Sequence, residues 1–170
     1  MPLTIPPGVA AEARINAIFS PTNTLSVATL GGATAVELTC YLSKGTLGMA
    51  AETERGTDER ECTSQVFEVL GKTTWTVNDL EYVWEPQAAA SSPTNKAYDT
   101  LKKGTTGFLI LRFGKDVDTA LAVGDKVWQI PVTLGEQAPK AREGNAAEKL
   151  KIVQPVVVSG NVRQDVALTA

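Results

Sequence analysis

Lys102-Lys103-Gly104-Thr105-Thr106-Gly107-Phe108-Leu109-Ile110-Leu111-Arg112-Phe113-Gly114-Lys115-Asp116 decides how the rest of the chain reads, because one kind of structure ends there and another begins. Its first residues close a helix. Lys102 and Lys103 suit the negative end of a helix dipole, and Gly104 suits the position just past the last turn. Upstream, Ser92 can cap that helix, Pro93 fits its first position, and Ala97, Tyr98 and Leu101 form an apolar stripe. The spacing predicts one short helix over about residues 93–103. Gly107 to Phe113 then reads as an apolar strand, closed by a turn at Gly114-Lys115-Asp116.

Working outward, strand signals dominate on both sides. Downstream, Lys126 to Leu134 alternates, and Pro131 places this strand near an edge or a bulge. Residues 135–147 read as a polar loop. Leu150 to Val158, broken by Pro155, and Val162 to Leu168 read as strands joined by a hairpin at Ser159-Gly160-Asn161. Upstream, Thr73 to Trp84 alternates, with Asn78-Asp79 marking a bulge or a change of face. Cys62 to Leu70 is a further strand, ending in a turn at Gly71-Lys72. From Ala35 to Leu42, Val36, Leu38, Cys40 and Leu42 share one face, and Glu37, Thr39 and Tyr41 share the other. Ile15, Ala17 and Phe19 line one face of a first strand, which Pro21-Thr22-Asn23-Thr24 breaks; Gly31-Gly32 makes a second break. Residues 43–60 are charged and glycine-rich and read as a long loop, and the prolines of residues 1–13 read as an N-terminal arm. The expectation is a mainly β chain: a β-sandwich or partly open barrel over residues 14–170, with one short flanking helix.

Composition narrows the chemistry. The chain has 170 residues, 43% hydrophobic, which suits one globular core of the ~150-residue class. It has no histidine, which removes Ser-His-Asp and Cys-His catalysis and the commonest metal ligand. Two cysteines, Cys40 and Cys62, cannot build an ordinary zinc site without histidine, and read as reduced, semi-buried thiols. Gly71-Lys72-Thr73 fails as a phosphate-binding loop because Val66 stands where that motif requires glycine. Asp116, Asp118 and Asp125 do not meet the calcium-loop pattern. Trp75, Trp84 and Trp128 sit in strand-like runs, where tryptophan is more often core or interface than ligand platform. The formal net charge of −3 argues against gripping nucleic acid. No apolar run is long enough to span a bilayer, and the first residues do not read as a signal peptide. The reading is therefore of a non-enzymatic protein without cofactor, metal or membrane partner, folded in a cytoplasm.

The layout carries a resemblance. Ala11-Glu12-Ala13-Arg14-Ile15-Asn16-Ala17, Thr74-Trp75-Thr76-Val77, Tyr82-Val83-Trp84-Glu85-Pro86, and the run from Lys102 to Gly114 resemble the major tail tube proteins of long-tailed, siphovirus-type bacteriophages, particularly those of actinobacterial hosts. The resemblance implies a virion protein that assembles with itself into hexameric rings. These stack into a hollow conduit for DNA ejection, around a tape-measure protein, with a tail terminator and a distal tail protein as further partners. Double-stranded DNA would pass without specific binding. On that reading Lys44, Glu52, Glu54, Arg55, Asp58, Glu59 and Arg60 are candidates for ring stacking, where complementary charge sets register. Glu37, Thr39 and Tyr41 are candidates for the lumen face, since neutral-to-acidic surface lets DNA slide. Other readings remain open: a head–tail connector, a contractile-type tube subunit, or a carbohydrate- or protein-binding sandwich module.

Overall fold

A computed structural model of the chain describes residues 8, 14–89, 92–141, 144 and 148–170. Along it come β1 (Ile15–Ser20), a helical turn α1 (Val27–Leu30), β2 (Val36–Glu37), β3 (Met49–Asp58), β4 (Phe67–Val77) and β5 (Leu80–Val83). A 3-10 turn (Pro93–Asn95) then leads into α2 (Lys96–Thr100), followed by β6 (Thr106–Phe113), β7 (Lys126–Leu134), β8 (Ala138–Pro139), β9 (Lys151–Gln154), β10 (Val156–Val158) and β11 (Arg163–Ala167). The chain is mainly β, and its strands form three sheets: a central one ordered β10-β7-β6-β1-β2 with β11 also on β7, a small one ordered β5-β9-β8, and the ribbon β3-β4.

The central sheet is covered on both faces, which is why β6 reads as an unbroken apolar run rather than an alternating one. Leu109 and Leu111 point with Ala17, Phe19, Ile130 and Val132 into a core closed by Leu80, Tyr82 and Ile152 of the small sheet and by Ala97 and Leu101 around α2. Ile110, on the other face, packs with Ile18, Val127, Leu25, Leu30 and Leu168. Each such side chain, fully buried, stabilises the fold by roughly 1.5–3 kcal/mol. Within the first core, the Tyr82 hydroxyl donates to Gln154 Oε1 (3.0 Å) and accepts from Gln137 Nε2 (2.7 Å). Gln154 Nε2 donates to the carbonyls of Leu101 and Gly135 (2.8 and 3.0 Å), so the end of α2 is tied to the sheet. Burial pushes the Tyr82 hydroxyl up to about 12.

Several expectations are corrected. The long loop expected over 43–60 is largely strand, since β3 occupies Met49–Asp58. The turn expected at Gly71-Lys72 lies inside β4, where the register with β3 shifts opposite Glu54. A Cβ on Gly71 would approach Glu54 Cβ to 3.1 Å, so this bulge favours glycine. The strand expected from Cys62 begins at Phe67. The Ala35–Leu42 strand shrinks to β2, because Tyr41 N and Leu42 N both turn back onto the Leu38 carbonyl. Pro131 lies not on an edge but in a central strand, between the stretches of β7 that pair with β10 and β11. Its carbonyl accepts from Ser159 N on that side, so its missing N–H would face the gap between them. The final strands form no hairpin; β10 and β11 follow one another along β7. The helix ends at Thr100, and Ser26 caps the unexpected α1 by accepting from Thr29 N (3.1 Å). Cys40 and Cys62 are free and exposed. Apart from Gly8, the N-terminal arm expected over 1–13 lies outside the described residues.

Candidate assembly surface

The ribbon is the region that the fold leaves without cover. Its eleven-residue strand β4 spans roughly 33 Å at ~3.3 Å per residue. Only its base is held. Val77 and Met49 pack on the first core, and the Trp75 ring meets Trp128 edge-on at 5.9 Å, with Phe113 against Trp128 at 6.0 Å. At the point where the ribbon leaves the body, Asn78 N donates to the Gly48 carbonyl (2.9 Å). A Cβ on Gly48 would stand 2.2 Å from Asn78 Nδ2, so any side chain there must push the Asn78 amide aside. Beyond that base nearly every ribbon residue is exposed. A lone two-stranded ribbon is marginally stable in water, and both its outer edges offer unpaired backbone groups.

The ribbon's far end is apolar. Val66, Phe67, Val69 and Leu70 are all exposed, Leu70 by 78%. The register sets Val69 opposite Gly56 and Phe67 opposite Asp58 on one face, and Leu70 opposite Arg55 on the other. Charge is also concentrated here. Residues 49–77 hold six carboxylates against three cations, so the ribbon carries the whole formal net charge of −3 and the remainder is balanced.

The structure brings most of the expected stacking residues together. Glu52, Glu54, Arg55 and Asp58 lie on β3, and Glu59 and Arg60 in the turn that follows. Arg60 pairs with Asp58 at 2.7 Å. Lys44 lies outside the ribbon, in the turn before it. The expected lumen trio is split. Thr39 accepts from Ala17 N (2.9 Å) and donates to the Glu37 carboxylate, whereas the Tyr41 hydroxyl donates to the Pro93 carbonyl (2.8 Å) and belongs to the helix side.

Sequence reasoning missed two things. One is the apolar end of the ribbon, hidden inside what read as an ordinary strand. The other is Arg112, which is 2% exposed. Its Nη1 donates to Asp125 Oδ2 and the Ala120 carbonyl (both 3.1 Å). Its Nη2 donates to Asn16 Oδ1 (2.8 Å) and to the carbonyls of Thr119 (2.6 Å) and Asp116 (3.2 Å). Lys115 joins the same carboxylate and, with Arg112, holds Asp125 below the usual carboxylate range. The available signal was a lone charge inside Leu109-Ile110-Leu111-Arg112-Phe113, followed by acids at Asp116 and Asp125. A second ion cluster, Glu81 with Lys151 and Lys140 at 2.7 and 2.9 Å, joins β5 to β9 and to the segment after β8 and lowers the Glu81 carboxyl to about 2. Both lowered carboxylates are thus explained by bonds that fasten one strand or connection to another. Among the described residues no three His, Cys, Asp or Glu side chains gather as a metal site, and no helix is long and apolar enough to cross a membrane.

Comparison with known proteins agrees with this architecture. No curated protein sequence matches. The chain is similar in structure to a chain of the anti-feeding prophage (AFP) baseplate, solved by cryo-electron microscopy with six-fold symmetry, at a TM-score of 0.53 and 10% identity, covering 94% of this chain and 96% of that one. At that identity the likeness concerns the fold. The sequence model of the phage tail tube protein family matches residues 11–170. With nearly its whole length matched, the chain belongs to the phage tail tube protein family and is a structural protein of the virion tail.

Proposed function

We propose that the protein assembles with itself into hexameric rings that stack into the tail tube, a hollow conduit for DNA ejection, and that it has no catalytic role. The observation that carries this is the ribbon: a long, two-sided, apolar-ended hairpin that its own chain leaves uncovered. Such a hairpin gains stability only against another subunit. The six-fold symmetry of the related baseplate assembly supports the ring number. The charged residues of β3 and its turn, Glu52, Glu54, Arg55, Asp58, Glu59 and Arg60, with Lys44 beside them, set register between rings. Glu37 and Thr39, with Tyr41 at their flank, are proposed for the lumen, where an acidic lining repels phosphate and lets DNA slide. Assembly takes place in the host cytoplasm around a tape-measure protein and ends at a terminator and a distal tail protein.

Negative-stain electron microscopy of the purified protein, concentrated at several salt levels and with tail-tip proteins added, tests this. Tubes with a central hole are expected. Monomers under all these conditions would contradict it. A second reading, a baseplate component that forms one ring, is favoured by the fold's likeness to a baseplate chain; rings that never stack would select it.

A further inference from the structure

We infer that the apolar end of the ribbon of one copy seats in a hollow on a second copy, formed where β6 passes into the connection to β7. This rests on the tube reading above and adds the specific partner surface. The hollow, about 280 Å³, is lined by Arg112, Phe113, Lys115, Gly124, Asp125 and Lys126. It has room for one large side chain. Its apolar lining residue, Phe113, is 43% exposed, and Val123, beside Gly124 at its rim, is 66% exposed. These are two of the few large apolar side chains left uncovered outside the ribbon. An apolar end without cover and an open hollow with an exposed aromatic wall and a cationic rim are natural counterparts.

Charge points the same way. The hollow's lining holds three cations against one carboxylate, and ribbon residues 55–70 hold four carboxylates against two cations. Asp116 and Asp118, on the same connection, are not part of the lining. Opposite charge around an apolar contact fixes orientation and rejects the wrong one. The hollow is also preformed. The connection over residues 114–125 would be free to move, but the Arg112 guanidinium holds the carbonyls of Asp116, Thr119 and Ala120 and the carboxylate of Asp125. A rigid receptor loses little entropy on binding. The two surfaces differ, so the contact is head-to-tail, and each copy both gives an end and receives one. Contacts of that kind propagate into rings or filaments.

The test places a photo-reactive benzoylphenylalanine at Leu70, whose exposure makes the substitution compatible with folding, and irradiates assembled protein. Cross-links are mapped by mass spectrometry. Cross-links from position 70 to residues 113–126 of another copy are expected. Cross-links to any other part of a second copy, or within one chain only, while tubes form, would overturn the docking and leave the tube reading standing. Wild-type protein that forms neither tubes nor rings would remove the tube reading and this inference with it. As a second measurement, Val123→Asp is expected to lower the assembled fraction at least tenfold with unchanged circular dichroism. Tubes formed by that variant at wild-type levels would overturn the docking as well.

Discussion

The central sheet and the ribbon are built from the same backbone pairing and could hardly differ more in what surrounds them. In the sheet, Leu109, Ile110 and Leu111 are all within 1% of full burial, because a second sheet covers one face and α1 with the chain's end covers the other. In the ribbon, Leu70 is 78% exposed and its neighbours nearly half. The sheet satisfies itself within one subunit. The ribbon has the length of the longest strands and apolar side chains at its end, yet only its base, around Trp75 and Trp128, rests on the body. The difference teaches that the body supplies the monomer's stability, and on the proposed function the ribbon is left for assembly. Substitutions in the buried core of the body should change the monomer, and substitutions on exposed surface, the ribbon above all, should change only what the monomer does with its copies.

Four variants sharpen that contrast, ordered by their expected effect on the monomer. Arg112→Ala leaves the buried Asp125 carboxylate with only Lys115 and the Ala122 amide and takes the guanidinium from the Thr119 and Ala120 carbonyls, and is expected to cost about 3–5 kcal/mol in urea denaturation. Gly107→Ala is next. Its Cβ would stand 2.5 Å from Phe19 Cζ and 2.8 Å from the Ser20 carbonyl oxygen, so β1 and β6 must part; the same measurement should show a loss of about 1–3 kcal/mol. Third, the Glu81 carboxyl titrates at about 2 in the fold against 4.5 ordinarily. Its lowered value means the contribution is complete above pH 4.5 and is lost as pH falls through 2. Wild type should lose about 1–2 kcal/mol more than Glu81→Gln between pH 5 and pH 2, with allowance for partial solvent screening of the pair. The smallest effect belongs to Phe67→Asp with Leu70→Asp, which should change monomer stability by no more than about 0.5 kcal/mol while abolishing tubes seen by electron microscopy. A large stability loss in that last variant would break the division between body and ribbon.

The same contrast explains what was legible in the sequence. β6 and β7 could be read closely because burial leaves an apolar pattern and Gly114, with φ +84°, marks the turn after β6. The ribbon could not. Its strands face water on both sides, so nothing forces apolar residues to alternate, and Glu52 to Asp58 looks like a solvated loop. Gly71-Lys72 looked like a turn because a bulge and a turn both favour glycine, and only the partner strand tells them apart. Tyr41 stands apart from Glu37 and Thr39, although Ala35–Leu42 alternates like a strand, because the backbone turns after Glu37. The charges of the ribbon were visible, but the exposure of its apolar side chains was not. Phe67, Val69 and Leu70 are the residues a buried strand would also use, and exposure is a property of the fold.

Hydrogen exchange on the monomer and on the assembled tube tests the division most directly. In the monomer, amides of β3 and of β4 beyond Trp75 should exchange far faster than those of β6 and β7. In the tube they should become protected while the body changes little. Ribbon amides already as protected in the monomer as those of β6, or still unprotected in the tube, would contradict the account.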